Sequence, residues 1–325
     1  MPSSVVPPDY TTAIRELERT RAELEALQAT RTFRWSRLPR ELYRRIRRRS
    51  SDRNRRAARS SLYGTPRDVR DLDRCFFYHS IDLPRHGTVT GHWDLRPGID
   101  DYLGHVDFSG KRVLEIGPAS GFVTMSMERR GASVVSVELA SAESWDRLPA
   151  PGIDVAAERP ALAEHLDLLC NSYWLVHREF DLSAEVYFGD VRSLPEAVGE
   201  FDISFIGSVL LHTHDPIQMI ISCAQRTRET LVVTDVRSVQ SDGADRRGEP
   251  VAVLVPSSQN RIVHTWWTFS PEFFVQLLGA LGFGNARVSF HEQRYIAGGL
   301  VYPMFTVVAR RNADGERAER SPATP

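Results

Sequence analysis

Glu115, Gly117, Ala119 and Gly121 stand at alternate positions of RVLEIGPASGFVTMSM, residues 112–127. Small residues at that spacing let a main chain come close to a ligand, and the helix that follows offers free N–H groups. The turn is Gly117-Pro118-Ala119-Ser120-Gly121-Phe122. A dinucleotide fingerprint, G-x-G-x-x-G, needs glycine where Phe122 stands. Glu115, two residues before the first glycine, suits a cationic amino-acid ligand better than a pyrophosphate. Two further acids, Glu138 and Asp190, close later apolar runs. A fourth run ends in Gly207-Ser208-Val209-Leu210-Leu211-His212-Thr213-His214-Asp215-Pro216. An imidazole titrates near neutrality, which suits removing a proton from a hydroxyl. His212 is therefore the first choice for a general base or for orienting an acceptor, against a hydrogen bond that only shapes the loop. His214 and Asp215 are second choices, and Asp215-Pro216 reads equally as the start of a helix.

These residues need an α/β frame to meet. Apolar, β-branched runs over 112–116, 133–139, 184–188, 201–206 and 230–236 predict five strands, and 122–130 a helix after the first. In such sheets ligands sit beyond the carboxyl ends of the strands, which places Glu138, Asp190 and His212 on one side. Between the second and third strands Leu162, Leu166, Leu169, Tyr173 and Val176 fall at helical spacing. His165 and His177 on that helix read as structural or solvent-facing. Ser270-Pro271 starts a last helix, Gly282 stops it, and strands over 287–290 and 305–309 close the sheet. The lead-in, residues 61–110, is rich in aromatics. Tyr78, His79, His92 and Trp93 there, with Trp266 and Trp267, are candidates to line a substrate cleft; Trp93 would equally cover a sheet edge.

The E-x-G-x-x-x-G arrangement resembles motif I of the class I S-adenosylmethionine (SAM) methyltransferases. The resemblance implies a Rossmann-like, doubly wound, mostly parallel sheet of seven strands ending in an antiparallel hairpin. It implies SAM as cofactor, held by Glu115, Gly117, Pro118, Ala119, Ser120 and Gly121, with Glu138 and Leu139 at the ribose. Asp190 and Val191 would meet the adenine, and Gly207 and Ser208 would complete the site. No metal site is expected. Over about residues 76–310 the strings VLEIGPASGFVTM, FDISFIGSVLLHTHDPI and AVLVPSSQNRIVHTWWTFSP resemble the bacterial tRNA wobble-uridine carboxymethyltransferases, which use carboxy-SAM. Two features depart from that branch. Leu211 replaces its tyrosine, and its lead-in lysine is absent from Gly91-His92-Trp93-Asp94-Leu95. A buried carboxylate without a partner is costly, so the departures favour ordinary SAM.

The chain has 325 residues, 42% hydrophobic, with a net charge of −1. That balance hides an asymmetry: residues 1–60 carry 16 arginines against 7 acids, and the remainder 25 basic residues against 35 acidic. The expected organisation is a basic helical arm and linker (1–60), the methyltransferase domain (61–311) and a disordered tail (312–325). Residues 31–49 interleave arginines with Phe33, Trp35, Leu38, Leu42, Tyr43 and Ile46. A basic amphipathic helix of this kind fits a membrane surface, an RNA backbone or the domain itself. Three isolated cysteines indicate neither a zinc site nor a disulfide framework. With no secretory signal or apolar span read in the sequence, the expected place is the cytoplasm, with a peripheral position at the inner face of the membrane as the alternative. The leading expectation is an O-methyltransferase acting on a hydroxyl of a sugar, cell-envelope glycan or secondary-metabolite intermediate. The alternatives are a tRNA wobble-uridine modifier and a non-catalytic SAM-binding scaffold.

Overall fold

The computed structural model describes residues 62–237, 248–260 and 262–312. The basic segment 31–49 and the rest of the arm lie outside the described residues, as does the tail from 313. The described residues form one compact unit. In order, its strands are β1 (Ile81–Leu83), β2 (Gly87–Val89), β3 (Trp93–Asp94), β4 (Arg112–Ile116), β5 (Ser133–Glu138), β6 (Glu185–Phe188), β7 (Phe201–Gly207), β8 (Thr227–Val236), β9 (Ala252–Leu254), β10 (Trp267–Phe269), β11 (Asn285–Tyr295) and β12 (Leu300–Arg310). The α-helices are α1 (Ile99–Tyr102), α2 (Phe122–Glu128), α3 (Val155–Glu179), α4 (Pro216–Arg226) and α5 (Pro271–Ala280).

The central sheet runs β3-β11-β12-β8-β7-β4-β5-β6. From β6 to β8 every pairing is parallel; β12 joins β8 antiparallel, and β11 joins β12 the same way. The sheet has eight strands where the sequence reading gave seven. β11 runs on to Tyr295, and its last two residues pair with Asp94 and Trp93. That edge strand exists only because the hairpin is longer than its apolar core.

The sheet is buried on both faces, so its parallel strands read as unbroken apolar runs. Val113, Phe205, Val232 and Met304 face one core, with Met125 and Met127 of α2 and Trp174–Val176 of α3. Leu114, Ile206, Val233 and Phe305 face the other, with Ile220 and Cys223 of α4 and Phe274 and Leu278 of α5. Side caps fix where the helices begin. Asp154 accepts from the Ala157 N–H, Asp215 from Gln218 and Ser270 from Phe273, each with the oxygen of an N-cap residue. Among the described residues no helix is long and apolar enough to cross a membrane.

Candidate active site

The turn after β4 is built for close approach. Gly117 has φ +69°, and a Cβ there would lie 2.6 Å from Val209 Cγ2. Ala119 also adopts a left-handed φ of 48°, a conformation a side chain tolerates only when its surroundings impose it. Gly117 donates to the Val137 carbonyl at 2.9 Å, which pins the turn to β5. Glu115 does not reach the ligand side. It is buried beneath the turn, where Oε2 accepts from Thr124 Oγ1 (2.6 Å) and Ser136 Oγ (2.7 Å). Oε1 has no hydrogen-bond partner among the described residues. Burial pushes its carboxyl up to about 7. Strand alternation turns Glu115 into the packed face of the sheet, and it is not among the residues that line either cavity described below.

Above the turn lies a cavity of about 300 Å³. Gly117, Ala119, Glu138, Leu139, Asp190, Val191, Gly207, Ser208 and His212 line it, together with Tyr78 and His79 of the lead-in. A neighbouring hollow of about 340 Å³ shares Ala119, Glu138 and Leu139 and is bordered by Pro118. Ser120 sits below the surface and accepts from the His79 N–H at 3.1 Å. Gly121 is the N-cap of α2, with φ +84°. The Glu138 carboxylate accepts from the backbone N–H groups of Ala119 and, at 2.8 Å, Leu139. Burial pushes it up to about 7 all the same. Asp190 accepts from the Arg192 N–H and Nε, both at 2.9 Å. Burial works against its charge, but Arg192 holds its carboxyl below the usual range.

His212 reaches the wall from the loop after β7. Its Nδ1 lies 2.7 Å from the His264 carbonyl. A carbonyl can only accept, so Nδ1 carries the proton and Nε2 of the neutral ring keeps its lone pair. Burial lowers the His212 pKa from its ordinary value, against the pull of that carbonyl.

Several expected site residues are elsewhere. Asp215 is the cap of α4, its Oδ1 held by the Gln218 N–H, and it is no part of the cavity wall. His214 is half-exposed and turned to Asp146, 2.8 Å away. His92 meets Phe76 edge to face, with 4.8 Å between centroids, and Trp93 packs against Tyr295 and Tyr302 at the sheet edge. Trp266 anchors the loop, donating from Nε1 to the Asp146 carbonyl and from its backbone to Leu211. Trp267 lies against the second core.

The sequence reading missed Tyr102, Trp145, Asp146, His165 and Arg192, all on the cavity wall. His165 stands there against Phe76 and Trp145. Asp146 is a junction. Its carboxylate takes Arg192 Nη1 (3.0 Å), Thr213 Oγ1 (2.8 Å) and the His214 N–H (3.1 Å). Only Arg192, two residues after Asp190, had a signal nearby. Among the described residues no group of three His, Cys, Asp or Glu side chains is arranged to hold a metal ion.

No protein-family model matches the chain. It is 28% identical over 136 residues to a ubiquinone biosynthesis O-methyltransferase of Neisseria meningitidis, covering 41% of this chain and 46% of that protein. It is 29% identical over 210 residues to the mitochondrial ubiquinone biosynthesis O-methyltransferase of Mus musculus, covering 61% and 45%. The chain thus spans less than half the length of these curated relatives. Among solved structures, the N-terminal domain of EvdMO1 with SAH bound is 18% identical, covering 82% of this chain and 97% of that one with a TM-score of 0.45. Magnesium protoporphyrin IX methyltransferase from Synechocystis PCC 6803, also with SAH, is 14% identical, covering 67% and 82% with a TM-score of 0.43. The sheet, parallel from β6 to β8 and closed by the antiparallel β11–β12 hairpin, has the mostly parallel α/β arrangement that the motif I resemblance implies. The curated relatives named here are methyltransferases.

Proposed function

We propose that this chain is an SAM-dependent O-methyltransferase that acts on a hydroxyl of a small-molecule acceptor, such as a sugar, a glycan precursor or a secondary-metabolite intermediate. The observation that carries the reading is His212: its Nδ1–H is committed to the His264 carbonyl, and the ring stands on the cavity wall with Nε2 free to accept. The residues present fit the cofactor. Gly117 leaves a bare backbone where a Cβ would strike Val209, and Ala119 adds only a methyl. Glu138 offers a carboxylate that two ribose hydroxyls would satisfy. Leu139 and Val191 supply apolar walls for a purine, with Asp190 at its edge.

When bound, SAM supplies an electrophilic methyl on a sulfonium. The chain's own residues do the rest. Tyr78, Trp145 and His165 on the cavity wall would give an acceptor ring faces on which a sugar or a flat ring can lie. Held there in line, the acceptor reacts with little further loss of freedom, which is where most of the rate enhancement arises. His212 Nε2 takes the hydroxyl proton as the new O–C bond forms.

The test incubates purified protein with methyl-labelled SAM and an acceptor-rich cell extract, then separates RNA, lipid, glycan and small-molecule fractions. Label in glycan or small molecules that disappears with His212→Ala supports the reading. Label in tRNA transfers the assignment to the wobble-uridine alternative. SAM that binds without any transfer favours a scaffold.

A further inference from the structure

Asp146 stands just past the single 3₁₀ turn, Ala142–Ser144, that follows β5. One oxygen of its carboxylate, Oδ2, takes the Thr213 hydroxyl (2.8 Å), the His214 N–H (3.1 Å) and Arg192 Nη1 (3.0 Å), with His214 Nδ1 at 2.8 Å. Thr213 and His214 are the two residues that follow His212. Arg192 is fixed in turn, since its Nε donates to Asp190 Oδ1 at 2.9 Å. The Asp146 side chain is only 16% exposed, so little water competes for these bonds, and hydrogen bonds to a charged group are the stronger kind.

The same segment holds the other half of the His212 contact. The Asp146 carbonyl accepts from Trp266 Nε1 at 3.2 Å, and the Leu148 N–H donates to the Val263 carbonyl at 3.1 Å. Between Val263 and Trp266 lies His264, whose carbonyl takes the Nδ1 proton of His212 at 2.7 Å. The backbone of 146–148 therefore places the acceptor of that bond, and the Asp146 carboxylate places its donor. This has a chemical consequence. A neutral imidazole carries one ring proton, and while Nδ1 holds it Nε2 keeps a lone pair. A ring released from the carbonyl can carry the proton on Nε2 instead, where it blocks that nitrogen as a base.

We propose that Asp146 is a positioning residue for His212. Its carboxylate clamps the two residues after His212, so that Nδ1 meets the His264 carbonyl and Nε2 stays unprotonated. This rests on the proposed function, in which Nε2 takes the acceptor's proton. Asp146 touches no reacting atom in this role and acts through the ring that does.

The ring protons report the clamp without need of an acceptor. In the full chain labelled with ¹⁵N in its histidine rings, long-range ¹H–¹⁵N NMR at about pH 8 distinguishes the two neutral tautomers of each imidazole. The His212 signal is the one missing from His212→Gln. His177 is an internal reference, because its Nε2 lies 3.1 Å from the Ala184 carbonyl, a contact in which Asp146 has no part. Wild type is expected to show Nδ1–H for His212 and Nε2–H for His177. Asp146→Ala is expected to move the His212 tautomer ratio toward Nε2–H by about tenfold or more, with His177 unchanged. Asp146→Asn, which keeps an acceptor oxygen, is expected to restore part of the wild-type ratio. Thr213→Val, which removes one hydroxyl and keeps the volume, is expected to shift the ratio the same way by a smaller factor. A His212 signal unchanged in Asp146→Ala, or a His177 signal that moves with it, overturns the positioning role. If Asp146→Ala does not fold, Thr213→Val decides, and a wild-type ratio there overturns the role. Calorimetry with SAH separates the two readings: wild-type protein that does not bind SAH overturns the methyltransferase reading, and with it any base for Asp146 to position.

Discussion

On the proposed function, Glu138 is expected to make cofactor binding depend on pH. Its carboxyl, pushed up to about 7 by burial, must be ionised to accept from two ribose hydroxyls at once. Below about pH 7 the free protein holds a proton there that binding has to expel. Affinity therefore rises with pH through about 7 and levels off above it. For a group of pKa 7 the ionised fraction falls from about 0.9 at pH 8 to about 0.09 at pH 6, so SAH should bind about tenfold more weakly at pH 6, a difference of about 1.4 kcal/mol. Titration calorimetry at pH 6, 7 and 8, in buffers of different protonation enthalpy, reads both the affinity and the released proton. Glu138→Gln should bind SAH about 10- to 100-fold more weakly at pH 8 and show a flat pH profile. A wild-type affinity constant from pH 6 to 8 with no proton released would refute this role for Glu138.

Other outcomes follow from the same geometry. His212→Ala should lower kcat by about 10²- to 10⁴-fold with SAH affinity within about twofold, measured by steady-state kinetics and calorimetry. Because burial holds His212 below its ordinary value of 6.5, wild-type kcat at saturating cofactor should stay level above that pH and fall in more acid solution as the base is protonated. Asp215→Ala should cost about 1 kcal/mol of stability, as a lost helix cap does, and leave kcat intact; denaturant unfolding beside a rate assay separates the two. Glu115 has its folded-state carboxyl raised to about 7, so its contribution to stability is present at acid pH and lost as pH rises from about 4.5 through about 7. The stability of Glu115→Gln relative to wild type should therefore improve from pH 5 to pH 8, read as a shift in melting temperature.

The local parts of this molecule were legible in its sequence. Glu115 to Gly121 is a contiguous turn whose backbone conformation depends on its own glycines, and Glu138 and Asp190 end apolar runs that can only be parallel strands. Asp215-Pro216 carried both readings, and the capping bond to Gln218 decides for the helix start. What stayed hidden was made by convergence. Asp146 has no motif around it; it matters because Arg192, Thr213 and the Trp266 indole arrive there from three other segments. Trp93-Asp94 is too short to read as a strand and becomes one only when Arg294 and Tyr295 extend β11 past it. Glu115 was assigned to the ligand because its position in the motif was visible, whereas the Thr124 and Ser136 hydroxyls that hold it below the turn come from α2 and β5.

The most direct measurement is transfer of a ¹³C-methyl group from SAM, followed by NMR of the product to identify the atom that carries it. An O-methyl signal that appears with wild-type protein and is lost with His212→Ala is the expected result. A methyl on nitrogen or carbon, or full turnover by His212→Ala, would contradict hydroxyl methylation assisted by His212.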